Sequence, residues 1–144
     1  MIKVIVVGNL KEKYWLEALK EYKKRLSKYT KLEIIELEDS YLIKEKDLIL
    51  KNIKDKDYVI ILDIEGNELY SVELSNNLNK WLISNSNLVF VVGGSDGLHE
   101  DVKDRSDYNL SFSKLTFPHQ MFRVMLLEQL YRSFKIINNE KYHK

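Results

Sequence analysis

Apolar residues follow two alternating patterns along this chain. In short runs such as Ile2–Gly8 they are consecutive and rich in β-branched types, which is typical of strands covered on both faces. In longer segments they recur every three or four positions, as on one side of an amphipathic helix. The first four predicted strands are Ile2–Gly8, Leu32–Glu38, Asp57–Ile64 and Asn87–Gly94. Their alternation with helical segments predicts an α/β fold.

Three predicted helices separate these strands. The first covers about Lys11 to Lys28, and a shorter one covers about Lys44 to Ile53. The residues Glu65-Gly66-Asn67 predict a turn, after which Ser71 is expected to cap a third helix, since serine is a favoured N-cap residue.

The last third of the chain predicts a short helix at Leu98–Lys103, a fifth strand at Tyr108–Ser113 and a long helix from about Pro118 to Ile137. Proline suits the first turn of a helix, where its missing N–H has no intrahelical partner. The long helix carries more apolar residues than one core-facing stripe needs, so we expect it to be buried on two sides. The second side is covered either by a partner, giving a homodimer built on this helix, or by the rest of a monomer.

Length and composition predict one domain over residues 1–144 with a single sizeable core. No cysteine is present, and His99, His119 and His143 lack a short ligand spacing, so we expect no metal site. The chain has no long apolar run; we therefore expect no signal peptide or membrane span, and a cytoplasmic protein.

The net charge of +1 averages unlike segments. Lys11–Lys31 holds eight basic and three acidic residues, and Lys114–Lys144 holds six and two. Local clusters of this kind bind polyanions such as RNA. They are also found on solvated helix faces, so charge by itself leaves both interpretations open.

Two loops of the last third are candidates for chemistry. The sequence GGSDG (Gly93–Gly97) matches neither the dinucleotide nor the P-loop spacing. A glycine pair at the carboxyl end of a buried strand is nevertheless where an open α/β sheet binds its ligand, although a tight turn would also use it. The segment Ser111–His119 is unusually apolar for a loop. It either covers a ligand or fills the core.

Several motifs of this chain resemble one known family. VFVVGGSDGLHEDV, YNLSFSKLTFPHQMFRVMLLEQLYRSFKI, the terminal YHK and GNLKEKYW near the start are similar to the ribosomal RNA large subunit methyltransferase H family, a minimal SPOUT-class methyltransferase. The resemblance covers nearly the whole chain. The stretch from about Asp39 to Asp55 looks shorter than in many relatives.

The resemblance implies a SPOUT-type (alpha/beta knot) fold, with a mostly parallel sheet of five or six strands, helices on both faces and a C-terminal trefoil knot. Topology rules alone would favour an unknotted sheet. It also implies a homodimer that uses S-adenosyl-L-methionine to methylate N3 of a pseudouridine in 23S rRNA, with the assembled ribosome as the expected substrate.

Carried onto matching positions, the resemblance implies a set of cofactor-binding residues in the two loops and at the end of the third strand. They are Leu62, Gly93, Phe112, Ser113, Lys114, Leu115, Thr116 and Phe117. Backbone groups would read adenine there, and apolar side chains would exclude water.

The C-terminal Tyr142-His143-Lys144 is the implied catalytic segment, with His143 the first candidate to help the N3 proton leave. A flexible tail is the general alternative for any terminal tripeptide. Arg123 and Arg132 are candidates for binding RNA phosphates, and Arg132 could equally pair with Glu128, four residues earlier.

Three further residues have less specific expectations. Glu128 fits a dimer interface or an active-site carboxylate equally well. His119, at a helix start, fits a structural or substrate-orienting role better than that of a base. His99 is expected at the surface. Two other functions remain open: a non-catalytic RNA-binding protein of the same fold, and a small-molecule nucleotide-binding domain.

Overall fold

The computed structural model describes residues 1–144 as five strands and five helices. The strands are β1 (Ile2–Val7), β2 (Leu32–Leu37), β3 (Tyr58–Glu68), β4 (Leu88–Val92) and β5 (Tyr108–Ser111). The helices are α1 (Lys13–Leu26), α2 (Leu42–Lys51), α3 (Ser71–Ser84), α4 (Glu100–Arg105) and α5 (His119–Ile137). The elements that the sequence patterns predicted are confirmed, with ends that differ by a few residues.

The five strands form one sheet in the order β2-β1-β4-β3-β5, with every neighbouring pair parallel. Register places Ile2 beside Leu88, and Leu62 beside Val92. The carboxyl ends of β3, β4 and β5 therefore meet at one edge of the sheet. Loops that leave this edge are brought together whatever their separation along the chain.

Helices cover the sheet on both sides. On one face Val4, Val6 and Phe90 pack with α1, α3 and α5, and on the other Ile5 and Val91 pack with α2 and α4. Both cores draw on consecutive residues of the same strands, because successive side chains point to opposite faces. This explains why β1 and β4 are almost uniformly apolar.

The four crossovers between strands share one hand. Those that step towards β2 run over the face of α1 and α3, and those that step towards β5 run over the face of α2 and α4. A common hand is the rule for parallel βαβ units. The sheet order is also consistent with the C-terminal knot that the resemblance predicts.

The last helix lies between α1 and α3, with the sheet beneath it. Leu126, Leu127 and Leu130 are buried there, while Met121 and Met125 are half-buried. Neighbours within one chain thus account for much of the apolar surface that predicted two-sided burial. The homodimer stays a prediction. The observation that supports it is now the half-buried outer side of this helix, and no longer the number of apolar residues that the helix carries.

The structure corrects the predicted turn after the third strand. Residues 65–67 are part of β3, which continues to Glu68 around a bulge: Leu110 of β5 lies beside both Leu62 and Asn67. The prediction that Ser71 caps the next helix is also wrong. Ser71 is the first helical residue, its hydroxyl donates to Gln129 Oε1 at 2.9 Å, and the N-cap is Tyr70, whose N–H donates to Glu73 Oε1 at 2.8 Å.

Gly66 allows β3 to pass close to β5 within this bulge. A Cβ atom at Gly66 would lie 2.4 Å from Asn109 Oδ1 and 2.8 Å from the Asn109 carbonyl oxygen. Both distances are far below van der Waals contact, and one of the two atoms belongs to the backbone. The bulge therefore depends on the absence of a side chain at this position.

We expect Gly66→Ala to lower the free energy of unfolding by roughly 1–3 kcal/mol, because the strands must separate to admit the methyl group. Urea unfolding measures the change. Glu65→Ala, at an exposed position of the same bulge, serves as the control and should alter stability by less than about 0.5 kcal/mol. Equal stability of Gly66→Ala and the wild type would show that the close approach imposes no constraint.

Candidate functional site

A cleft of about 510 Å³ opens at the carboxyl ends of β3, β4 and β5. This volume falls within the usual range of small-molecule sites, about 300–1,000 Å³. One wall comes from the β3 bulge at Asp63 and Ile64, one from the loop Gly93–Leu98, and one from the segment that joins β5 to α5. The topology thus gathers the two candidate loops at one site.

The glycine loop turns back sharply on itself. A Cβ atom at Gly93 would lie 2.6 Å from the Gly97 carbonyl oxygen, so only glycine fits against the opposite limb. The Gly97 N–H donates to the Gly94 carbonyl oxygen at 3.1 Å, and Gly97 has a φ of +76°, a conformation that glycine adopts without strain. The glycine loop is therefore both a tight turn and a wall of the cleft, the two roles that its sequence left open.

The segment from Ser111 to His119 covers the cleft. Ser111 anchors it, because its buried hydroxyl lies 3.2 Å from the Ile64 carbonyl oxygen and 3.1 Å from that of Ser113. Phe112 and Phe117 pack against Phe122 of α5, with ring centroids 5.0 and 6.3 Å from it. An apolar loop is stable here because its rings pack on the helix as well as facing the cleft.

Seven of the eight predicted cofactor residues line this cleft: Leu62, Gly93, Phe112, Ser113, Leu115, Thr116 and Phe117. The eighth, Lys114, is exposed and lies outside the lining. Leu115 is 71% exposed although it is apolar, which marks it as a side chain available to cover a ligand. These residues come from three separate parts of the chain, and the fold brings them together.

The residues fit S-adenosylmethionine on their own chemistry. Gly97 leaves open space where a side chain would stand, as close approach of a ligand requires, and Gly93 lines the cleft with backbone alone. Phenylalanine and leucine side chains supply an apolar surface for a purine ring, and Asp63 supplies the lining's single carboxylate for a ligand with two positive charges. Sequence reasoning missed Asp63 and Ile64, because the residues that follow looked like a turn.

The C-terminal tail folds against α5. The Tyr142 hydroxyl donates to Glu128 Oε1 at 3.1 Å, and its ring packs edge-on against Tyr131 at 4.9 Å between centroids. Arg132 forms an ion pair with Glu128, with Nε 3.0 Å from Oε1, and its guanidinium lies over the Tyr142 ring. The pairing of Arg132 with Glu128 is thus present, and Tyr142 is held firmly although the last two residues are exposed.

None of Tyr142, His143 and Lys144 lines the cleft. Arg132 Nη1 lies 3.1 Å from His143 Nδ1. Because arginine has only donors, a hydrogen bond between the two side chains requires this ring nitrogen to accept. Burial first, and then contacts with Tyr22 and Glu128, raise the pKa of the Tyr142 phenol. It therefore stays protonated near neutral pH and acts as a donor.

A second pocket of about 330 Å³ adjoins the cleft and shares Ser111, Phe112 and Phe117 with it. Glu128 lines this pocket on the side of α5. The residue that holds the tail therefore also lines a pocket next to the cleft.

A profile of the family described as "Predicted SPOUT methyltransferase" matches residues 1–143 of the chain. The chain belongs to this family.

Curated relatives match over their full length. The chain is 56% identical to "Ribosomal RNA large subunit methyltransferase H" of Clostridium tetani, with 99% of each chain covered. It is 51% identical to the protein of the same name from Caldicellulosiruptor bescii, with 100% of each covered. The first alignment spans 157 positions against 144 residues here, so this SPOUT chain is shorter than that relative, as the sequence suggested.

Arg123 of this SPOUT methyltransferase does not face solvent, contrary to what RNA contact requires. Its side chain is 3% exposed, with Nη1 3.0 Å from Glu36 Oε2 and Nη2 3.0 Å from the Gly8 carbonyl oxygen. Burial lowers the pKa of the guanidinium, while Glu36 opposes that shift. These contacts of Arg123 connect α5 to the ends of β1 and β2.

The remaining histidines lie in two different settings. His119 is exposed at the start of α5 and lines the cleft, as a substrate-orienting residue would. His99 lies at the surface, as expected, with 25% of its side chain exposed, and its Nδ1 accepts from the Asp101 N–H at 3.0 Å and caps α4.

No helix has both the length and the apolar character that a membrane span needs. No group of three or more histidine, aspartate or glutamate side chains is arranged to hold a metal ion.

We expect Arg123→Met to lower the free energy of unfolding by roughly 2 kcal/mol, because it leaves the Gly8 carbonyl oxygen without its buried donor and Glu36 without its partner. Urea unfolding measures this loss. Arg25→Met is the matched control, since Arg25 pairs with Glu21 on the exposed side of α1 and should cost less than about 1 kcal/mol. An Arg123→Met protein of wild-type stability that binds RNA poorly would instead restore the predicted RNA role.

Proposed function

We propose that this protein is an S-adenosylmethionine-dependent methyltransferase that methylates N3 of a pseudouridine in 23S rRNA, on the assembled ribosome in the cytoplasm. The observation that carries the proposal is the convergence of seven predicted cofactor residues on one cleft. Full-length relatives named for methylation of large-subunit ribosomal RNA support the substrate class.

The cleft residues would bind and orient. Phe112, Leu115 and Phe117 would enclose the adenine, and the bare backbone at Gly93 and Gly97 would read its polar edge. When bound, S-adenosylmethionine supplies an electrophilic methyl group on its sulfonium. The protein's task is to place the target nitrogen in line with that group and to help its proton leave, which positioned side chains do well.

His143 is the proposed proton acceptor, with Tyr142 and Lys144 positioning the tail and the RNA. In the position described, His143 Nδ1 is engaged by Arg132, and the tail lies outside its own cleft. We infer that the working arrangement is a homodimer in which the tail of one subunit reaches the cleft of the other. The half-buried outer side of α5, with Met121, Met125 and Ile136, supports a partner at this helix.

The basic surface of α1 fits the ribosome. Lys20, Lys23 and Lys24 are exposed and have no salt-bridge partner. Tyr14, 61% exposed, packs edge-on with Trp15 near the start of the same helix. Lysines beside aromatic rings bind a phosphate backbone and stack on unpaired bases. With Arg123 buried, this helix carries more of the proposed RNA contact than α5 does.

The cofactor site is tested by isothermal calorimetry with S-adenosylmethionine. We expect the wild type to bind in the micromolar range, about −8 kcal/mol, and Gly93→Val to abolish binding, because the new side chain meets the Gly97 backbone and deforms the loop. Ser86→Val, exposed far from the cleft beside β4, is the control. A folded wild type without detectable binding would leave the non-catalytic RNA-binding protein as the better proposal.

The catalytic tail is tested by methyl transfer from labelled cofactor to naked 23S rRNA, 50S subunits and 70S ribosomes. We expect label on ribosomal RNA, and we expect His143→Ala to lower turnover by about 100-fold, the usual weight of a general base, with cofactor affinity within about twofold. Label on none of the three substrates would reject the rRNA target.

Mixing two inactive proteins separates the two possible positions of the tail. A heterodimer of Gly93→Val and His143→Ala chains contains one intact cleft facing one intact tail only if the tail acts on its partner. Activity after subunit exchange supports the dimer proposal. Activity absent from a heterodimer whose formation is verified would place the tail at its own cleft.

A further inference from the structure

Asp63 is the one acidic side chain among the residues that line the cleft. It lies at the end of the paired part of β3, directly after Leu62, which is level with Val92 of β4. The carboxylate is therefore adjacent to the glycine loop, and it forms a wall different from the one made by the phenylalanines. The cleft has one apolar side and one negatively charged side.

Asp63 is held in place without being saturated. Its side chain is 18% exposed, and its partners are distant: Asn109 Nδ2 and the Glu65 N–H at 3.4 Å, and Lys103 Nζ at 3.8 Å. A carboxylate accepts about four hydrogen bonds. Such long contacts leave strong acceptor capacity, which is unusual for a carboxylate that water reaches so little.

The β3 bulge accounts for this position. Strand β3 leaves its ladder with β5 after Leu62 and rejoins it at Asn67. The bulge is fixed by the packing of Gly66 on Asn109 and by the Ser111 hydroxyl at the Ile64 carbonyl oxygen. Bulges are common next to functional sites. Asp63 keeps the direction that strand alternation gives it, towards the face of α2 and α4 where Lys103 lies, and the break in the ladder after Leu62 leaves it unpaired with β5.

We propose that Asp63 binds the positively charged methionyl half of S-adenosylmethionine and so sets the direction in which the cofactor lies in the cleft. The methionyl half carries a sulfonium, an ammonium and one carboxylate, which leaves it positively charged, and the adenine suits the opposite, apolar wall. A carboxylate in a partly desolvated site attracts such cations more strongly than one in water. Asp63 is a positioning residue in this scheme. The inference rests on the cofactor site proposed above.

Lys103 opposes this attraction. Its ammonium, 35% exposed on α4, lies 3.8 Å from the Asp63 carboxylate and offsets part of its charge. A cationic ligand therefore competes with Lys103 for the same group. Removing the lysine charge is expected to tighten cofactor binding, whereas removing the Asp63 charge is expected to weaken it. The gain from removing the lysine charge is expected only while Asp63 is present.

Calorimetry with three ligands tests the proposal: S-adenosylmethionine, S-adenosylhomocysteine, which lacks the sulfonium charge, and methylthioadenosine, which lacks both positive charges. We expect Asp63→Asn to raise the Kd of S-adenosylmethionine about tenfold, as for the loss of one charged contact. The Kd of methylthioadenosine should change by less than about twofold. Lys103→Gln should lower the Kd of S-adenosylmethionine severalfold, and the Asp63→Asn/Lys103→Gln pair should abolish that gain.

The matched control is Asp96→Asn, which makes the same charge change at an exposed position of the glycine loop outside the lining. It should leave all three Kd values within about twofold of the wild type, and thermal unfolding verifies that each variant is folded. Equal weakening of all three ligands by Asp63→Asn would assign Asp63 to the ribose or adenine and overturn the proposal, and unchanged affinities would overturn it too. Failure of the wild type to bind any ligand would instead count against the proposed cofactor site.

Discussion

The packing of Gly66 against Asn109 is the contact on which the candidate site depends. Parallel strands normally keep one register, and a sheet that did so here would have β3 and β5 closed against each other up to their ends. Here the ladder is interrupted for four residues, and the missing side chain at Gly66 lets β3 come close to β5 before pairing resumes at Asn67. The unpaired stretch of β3 forms one wall of the cleft. Its Ile64 carbonyl oxygen accepts from the Ser111 hydroxyl, and this hydrogen bond fixes the start of the segment that covers the cleft.

Two ion pairs hold the other parts of the site, and they differ in how deeply the arginine is buried. Arg123 is buried and joins α5 to the ends of β1 and β2 through Glu36 and the Gly8 carbonyl oxygen. Breaking it leaves buried polar atoms unpaired, so it is a fixed structural contact. Arg132 and Glu128 hold the tail at a partly exposed position. Arg132 is 25% exposed where Arg123 is 3% exposed, so moving the tail leaves fewer polar atoms buried without a partner than breaking the Arg123 contacts would.

Much of the fold could be predicted from sequence because its causes are local. The apolar runs of β1 and β4 specify buried strands, and helical spacing specifies α1 and α5. The β3 bulge could not be predicted, because the close approach that requires Gly66 involves Asn109, far along the chain. A glycine between polar residues has the same sequence signal in a turn and in a bulge.

The same distinction separates the predicted from the missed residues of the site. The glycine loop and Ser111–His119 carry their own local signals, and family resemblance adds their joint role. Arg123 and Arg132 look alike in the sequence, both on one helix. Only the fold shows that one meets Glu36 while the other meets the tail, because partners of charged side chains are set by tertiary contacts.

The position of His143 bears on how the tail can work at all. A ring nitrogen that accepts a hydrogen bond from a guanidinium cannot take a proton without first losing that contact, since arginine donates and never accepts. In the arrangement described, Nδ1 of His143 is engaged by Arg132, whose ion-pair partner Glu128 lines the pocket next to the cleft. The proposed role of His143 as proton acceptor therefore needs a second partner for either Arg132 or the tail. An RNA phosphate would attract Arg132, a partner subunit would bind the tail, and each would release the imidazole at the moment when substrate or dimer is present.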